Sequence, residues 1–311
     1  MRKVAVVGLR HQDLDIEREV LAGMDVDLVR LDAGRWEDAA DADVLIVGSS
    51  PRLDRRALGR LRGRAIVRAG IGLDSIDLVA ARELGYTIAY VPDYGTEAVA
   101  FHTLALACAA LRRLVAAHQT VLAGGWGFDA LRPLHLPSSS TAGVVGLGRI
   151  GRRVAELFVA VGFGRVVGHD PWAQPPPGVE LAELGDLLGT ADVVTLHVPH
   201  TGEVLLGATE LGRMKEGSVL VNTARGGLVD FHALAEGLRR GRPGMAALDT
   251  FDQEPPDLRA FSGLEDRLVL TPHMAWYTEE TETLLRRRAA EEARRLLIGE
   301  APLNPVELEE V

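Results

Sequence analysis

Residues 141–158 read TAGVVGLGRIGRRVAELF, and no other stretch constrains the fold as tightly. An apolar β-branched run leads into Gly146-x-Gly148-x-x-Gly151, and an amphipathic helical pattern follows. Each glycine has its own task in a strand-turn-helix. Gly146 permits the tight turn, Gly148 lets the backbone approach a pyrophosphate, and Gly151 lets helix and strand pack closely. Arg149 and Ile150 begin the helix, whose N-terminal N–H groups and partial positive charge suit a phosphate. The next strand pattern, RVVGHD, ends at Asp170, about 20 residues beyond the last glycine. A carboxylate there accepts from ribose hydroxyls and repels a 2′-phosphate, which favours NAD over NADP. Arg149, Arg152 and Arg153 lie close enough in sequence to work against that preference.

The same alternation extends along the chain. VAVVGL, DVLIVGS, AIVRAG, TIAYV, DVVTLHV, SVLVNTA, GMAALDTF and RLVLTP read as short strands. Helical patterns such as 13–22, 76–84 and 151–161 separate many of them. This order predicts an α/β protein with parallel sheets covered on both faces. Two longer helices are expected. One runs from about Glu97 to Leu122 and is apolar nearly all round, so it should be buried. The other covers about Thr278 to Ile298, with a Glu-rich start and an Arg-rich end that suit the helix dipole. Thr278 is an acceptable N-cap, but Thr281 three residues on is neither Glu nor Gln, so no capping box is expected. These two helices are candidates for crossovers between two domains, and 311 residues are enough for two.

Composition narrows the partners. A net charge of −10 disfavours bulk binding to nucleic acid or anionic membranes. The only lysines are Lys3 and Lys215, which leaves little room for lysine-based covalent catalysis. The single cysteine, Cys108, sits in the run FHTLALACAALRRL and is expected in the core. It supports neither a disulfide framework nor a metal site. The N-terminal apolar run is broken by Arg10 and Asp13 too early for a signal peptide, and no segment reaches the length of a membrane span. A soluble cytoplasmic protein is expected.

His273, in LTPHMAWYTEE, stands alone at a strand end, where a structural histidine is the commoner case. Its context changes that. After the glycine fingerprint come VTLHVP, MKEGSVLVNTARGGLVD, AALDTFDQEPP and VLTPHMAWYTEE; VRAGIGLDSIDLVAARELGYTIAYVP precedes it. In this order the motifs resemble the D-isomer-specific 2-hydroxyacid dehydrogenase family. VRAGIGLDSID and TPHMAWYTEE look most like its C-terminal-binding-protein branch. The resemblance implies a Rossmann NAD-binding domain over residues 97–276. It also implies a flavodoxin-like substrate domain over 1–96 plus 277–311, with a cleft between, in a homodimer built on the helix from Glu97 onward.

It also implies the chemistry. Reducing a 2-oxo acid requires that the carboxylate be held, the carbonyl polarised, a proton delivered and the nicotinamide fixed close by. Arg225 of NTARGG matches the substrate arginine, whose guanidinium has forked donors for oxygen pairs. His273 matches the acid/base, and Glu254 of DQEPP its carboxylate partner, which fixes the tautomer and favours the imidazolium. Asp249 of AALDTF matches the nicotinamide-carboxamide ligand. Thr223 and Ala224 offer backbone near the same ring, and His197 and Pro199 of VTLHVP complete the cofactor set. Gly70 and Ile71 match a loop whose N–H groups face the substrate carboxylate. Arg68 is either a second charge contact or a structural partner for an acid. Trp276 either walls the substrate pocket or packs between domains, and Tyr94 is a further candidate.

Two positions depart from the family pattern. Phe101 stands where many relatives carry an acid, and Val204 where many carry Thr. Two other functions remain open. One is an NAD(H)-sensing corepressor-like binding protein. The other is a dehydrogenase of a phosphorylated or phosphonate acid, with Arg52 as a second anion contact.

Overall fold

The structure, a computed structural model, describes residues 1–308. In chain order the first elements are β1 (Arg2–Val7), α1 (Asp15–Val20), β2 (Val26–Leu31), β3 (Val44–Val47), α2 (Arg55–Arg60), β4 (Ala65–Arg68), α3 (Leu78–Glu83) and β5 (Thr87–Tyr90). Next come α4 (Thr96–Leu111), α5 (Leu114–Leu122), β6 (Thr141–Val145), α6 (Arg149–Ala160), β7 (Arg165–His169), β8 (Glu180–Leu181), α7 (Leu184–Thr190) and β9 (Val193–Leu196). The last are α8 (Ala208–Arg213), β10 (Val219–Asn222), α9 (Phe231–Arg240), β11 (Met245–Leu248), β12 (Leu268–Leu270) and α10 (Glu279–Ile298). They form two compact units, Met1–Gly95 with Thr278–Val311, and Thr96–Tyr277.

The first unit holds a parallel sheet in the order β2-β1-β3-β4-β5, the flavodoxin-like arrangement. β3 is buried along its whole length, as a strand covered on both faces must be, and so reads as an unbroken apolar run. Leu45, Leu58, Ile66, Tyr86 and Ile88 belong to its core.

Helix α10 closes this unit through charge as well as packing. Arg286 donates from Nε to Glu17 Oε1 at 2.9 Å and from Nη2 to Oε2 at 2.7 Å; Nη2 also reaches Asp13 Oδ1 at 2.8 Å. Glu17 and Arg286 are both buried. Burial pushes the Glu17 carboxyl up, but Arg286 and His11 outweigh it and hold its pKa at about 2. Further along α10, the buried Glu292 accepts from the amides of Leu303 and Asn304 at 2.9 and 3.0 Å. That fixes the following segment against β5, where Tyr90 donates to Asn304 O and Val306 donates to Ile88 O. The free edge of the sheet is thereby covered.

The N-terminus of α10 departs from expectation. Thr281 N–H donates to Thr278 Oγ1 at 3.1 Å, and Thr278 N–H donates to Thr281 Oγ1 at 2.7 Å. A reciprocal box therefore forms with threonine in the place of Glu or Gln, because the shorter side chain still reaches the cap amide.

The second unit holds a seven-stranded parallel sheet in the order β12-β11-β10-β9-β6-β7-β8, the doubly wound Rossmann order. One core contains Leu147, Val154 and Phe158 with Ala107 of α4. The other contains Leu187, Leu196, Leu234 and Phe261.

The expected single helix over 97–122 is two. Arg113 adopts a left-handed conformation (φ 49°), which breaks the backbone ladder, and the axis bends by 58°. The expectation of all-round burial also fails. α4 buries Val99, Thr103, Leu106 and Ala110, while Phe101, Ala105 and Cys108 are exposed on another face. Cys108 is therefore outside the core. No residue of α5 is buried. Among the described residues no single helix is long and apolar enough to cross a membrane; α4 and α5 reach that length only as a bent pair.

Arg286→Met should lower the unfolding free energy of the first unit by ~3–5 kcal/mol at neutral pH, since it strands Glu17 in the interior. Because the folded pKa of Glu17 lies below 4.5, the stabilisation is complete above about pH 4.5 and is lost as pH falls toward 2. Urea unfolding of wild type and variant at pH 7, 4.5 and 3 should show the difference shrinking. A constant difference would place the stabilisation elsewhere.

Candidate active site

Three neighbouring strands bring the chemical residues together. The register aligns Asn222 with Leu248 and Leu248 with Leu270, the last residues of β10, β11 and β12. The next residues outward are Thr223, Asp249 and Thr271, side by side at the carboxyl ends of parallel strands, where open α/β sheets place their ligands. Arg225 and His273 each follow two residues later, and Glu254 lies in the loop after β11.

Arg225 sits on a turn built by Asn222. The fully buried amide of Asn222 donates to Arg225 O at 2.8 Å and accepts from Ala224 N–H at 3.0 Å. Gly226 then lets this turn press on the loop that carries Glu254. A Cβ at Gly226 would lie 1.9 Å from the carbonyl carbon of Phe251. Only glycine allows that approach. Glu254 is steadied by Phe251 N–H, which donates to Oε1 at 3.2 Å.

Both oxygens of Glu254 meet Nδ1 of His273, at 3.0 and 2.8 Å. A carboxylate only accepts, so Nδ1 carries the hydrogen and Nε2 is left to face a reactant. Each of these side chains is 40% exposed, enough for a small molecule to reach them. His273 itself has φ 52°, a left-handed backbone that non-glycine residues adopt at a cost of about 1–3 kcal/mol and that survives only when its surroundings impose it.

Asp249 imposes it. Its carboxylate is 0% exposed. Oδ1 accepts from the Thr271 hydroxyl at 2.6 Å and from Met274 N–H at 2.9 Å, and Oδ2 accepts from Ala275 N–H at 2.9 Å. The residue expected to meet a nicotinamide carboxamide thus first holds the turn on either side of His273.

The glycine fingerprint forms a cradle at the switch point between β6 and β9. Gly146 has φ 89°, and a Cβ there would lie 2.7 Å from His197 O. A Cβ at Gly151 would lie 1.9 Å from Gly146 O, whereas Gly148 faces open space. Helix α6 begins without a side-chain cap, so its first N–H groups are left for solvent or an anion. This arrangement fits a dinucleotide pyrophosphate. Burial pushes the His197 imidazole down to about 3, keeping it neutral beside the turn, with Nε2 3.1 Å from Thr195 Oγ1. Pro199, two residues on, is exposed. At the end of β7, Asp170 Oδ2 accepts from Leu147 N–H at 2.8 Å, and Oδ1 accepts from the amides of Trp172 and Ala173. Burial pushes its carboxyl up, but these three amides outweigh that and hold it below the usual range.

In the first unit, Arg68 ends β4, is buried, and donates to Ala69 O. Its guanidinium lies over Gly70 (φ 143°), and Gly70 N–H donates to Arg68 O at 2.9 Å. That amide is used within its own turn. Ile71 and Tyr94 are half-buried, and Arg52 lies in the loop between β3 and α2. In the second unit Trp276 stacks edge-to-face on Tyr277 at 5.6 Å.

Sequence reasoning passed over Asn222, His102 and Thr103. The signal was present for the last two, an adjacent polar pair inside the apolar run EAVAFHTLALA. Thr103 Oγ1 lies 2.8 Å from Thr223 Oγ1, and His102 Nε2 lies 3.1 Å from Thr271 Oγ1.

Residues 104–275 match the family described as D-isomer specific 2-hydroxyacid dehydrogenase, NAD binding domain. A D-3-phosphoglycerate dehydrogenase of Methanocaldococcus jannaschii is 34% identical over 99% of this chain, which spans only 60% of that relative's length. A glyoxylate reductase of Aeropyrum pernix is 37% identical over 88% of this chain and 85% of its own. The crystal structure of D-lactate dehydrogenase from Aquifex aeolicus, complexed with NAD and lactic acid, superposes with a TM-score of 0.85. It is 25% identical, with 96% of each chain covered.

Asp170→Asn leaves an amide oxygen to accept from Trp172 and Ala173 N–H, gives up the acceptor for Leu147 N–H, and removes the charge that would oppose a 2′-phosphate. The ratio of NADPH to NADH dissociation constants should narrow by about tenfold, on the order of 1.4 kcal/mol. Nicotinamide fluorescence titration measures it; an unchanged ratio would assign the selection to another residue.

Proposed function

Because the chain belongs to the D-isomer-specific 2-hydroxyacid dehydrogenase family, we propose that it is an NAD-dependent oxidoreductase reducing a small 2-oxo acid to the D-2-hydroxy acid, and catalysing the reverse. The observation that carries this is the 2.8 Å contact between Glu254 and Nδ1 of His273, on a loop pressed against the turn that bears Arg225. Gly146, Gly148, Arg149, Ile150 and Gly151 would hold the cofactor's phosphates and Asp170 its ribose. His197, Pro199, Thr223, Ala224 and Asp249 would lie along the rest. When bound, the reduced nicotinamide supplies the hydride. Arg225 holds the carboxylate and ketone oxygens with its forked donors. His273 Nε2 gives its proton to the carbonyl oxygen as the carbon gains hydride, so the alcohol leaves neutral and the imidazole is left neutral. Glu254 keeps Nδ1 protonated throughout and stabilises the imidazolium before transfer. Trp276 would meet the substrate's side chain; in the first unit Arg68 and Ile71 are the candidates for its carboxylate, since the Gly70 N–H is already used within its own turn. A phosphorylated acid is the second substrate reading, favoured by the likeness to phosphoglycerate dehydrogenases.

The working form is proposed to be a homodimer in the cytoplasm. Phe101 (65% exposed), Cys108, Leu114, Val121, Leu122 and Trp126 (93% exposed) present apolar surface along and beyond α4 and α5. A second copy would cover it. A single cysteine accords with a reducing compartment.

Nicotinamide absorbance with NADH against small, branched, aromatic and phosphorylated 2-oxo acids tests the activity. His273→Ala should lower kcat by ~10²–10⁴ while NADH binding survives. Turnover unaffected by the substitution, or absent with every acid, would overturn the reading. Sedimentation at micromolar concentration should give twice the mass of 33.4 kDa. A monomer there would remove the dimer.

A further inference from the structure

Two adjacent residues of α4 reach two different catalytic turns. Thr103 is fully buried, and its hydroxyl donates to Val99 O at 2.8 Å. Its one proton is thereby used, so the Thr223 hydroxyl, 2.8 Å away, must donate to Thr103 Oγ1. Thr223 opens the turn that carries Arg225. The same logic orders the neighbouring contact. Thr271 gives its proton to Asp249 Oδ1 at 2.6 Å, so it accepts at 3.1 Å from His102, which must carry its hydrogen on Nε2. His102 Nε2 also stands 3.6 Å from Asp249 Oδ1. A directed chain thus runs from His102 through Thr271 to Asp249, whose oxygens take the amides of Met274 and Ala275 and hold the left-handed turn at His273.

We propose that His102 and Thr103 are positioning residues, and that helix α4 acts as one strut setting the spacing between Arg225 and His273. Neither need touch a reactant. Arg225 and His273 sit on separate loops after β10 and β12, with β11 between. The loops share no covalent link short enough to fix their separation. A single helix gripping the first residue of each loop does so. A displacement of about 1 Å between such groups costs on the order of a hundredfold in rate. This inference rests on the oxidoreductase reading above.

The test uses the full chain with Thr103→Val, His102→Ala and the double variant, alongside the conservative Thr103→Ser and His102→Gln, which keep a hydroxyl and an Nε donor. Two readouts are taken. In turnover of the best 2-oxo acid, Thr103→Val and His102→Ala should lower kcat by about 10- to 100-fold, with the NADH dissociation constant within about twofold. Each conservative variant should recover most of the loss. In amide hydrogen exchange, His102→Ala should speed exchange at Met274 and Ala275, and His102→Gln should not. Unchanged kcat overturns the proposal. So does kcat lost together with NADH binding and not recovered by the conservative variants. If wild type turns over no acid, the oxidoreductase reading fails, and exchange alone decides the strut. Faster exchange in His102→Ala upholds it, and unchanged exchange removes it.

Discussion

Asp249 is the constraint on which the candidate site, at the carboxyl ends of β10, β11 and β12, depends. A carboxylate taken wholly out of water is costly unless donors meet its oxygens, and here a hydroxyl and two backbone amides do so. Those same donors belong to the segment after β12. The drive to satisfy one buried charge therefore becomes the force that bends residues 271–275 into an otherwise unfavourable turn. His273 emerges from that turn with Nδ1 on Glu254 and Nε2 free. Charge burial, backbone strain and tautomer choice are one coupled arrangement.

The first unit solves a different problem with the same physics. Its sheet ends at an edge strand, β5, that needs a partner, and its helix α10 lies far in sequence from the strands it covers. Two buried acids, Glu17 on α1 and Glu292 on α10, are satisfied by Arg286 and by the amides of Leu303 and Asn304. One contact docks α10 onto α1, and the other folds the chain back along β5. Because a buried acid tolerates no substitute geometry, both contacts select position as much as they stabilise it.

Much of this was legible in the residues. The glycine fingerprint, Asp170, and the order of NTARGG, DQEPP and TPHMA pointed to a dinucleotide fold and to Arg225, Glu254 and His273. Such motifs are legible because each is local: a turn that needs glycine, a helix that needs a start, a strand end that offers a carboxylate. What failed depended on a backbone conformation, on which face is covered, or on a side-chain reach that residue type alone does not give. The helix over 97–122 read as continuous, since composition does not reveal that Arg113 turns left-handed. Cys108 read as core, since an apolar helix does not say which of its faces is covered. Thr278 read as lacking a box, since the rule was drawn for longer side chains.

By itself the sequence determined that strands and helices alternate, that a tight glycine turn between strand and helix lies at Gly146–Gly151, and which residue types chemistry would use. Tertiary structure alone decided how those residues are held. His102 meets Thr271, and Thr103 meets Thr223, across long stretches of chain only because parallel register aligns three strand ends under one helix. Hydrogen bonds are directional and short-ranged, so a polar residue's role follows from which donor or acceptor the fold delivers to it. No linear pattern carries that information.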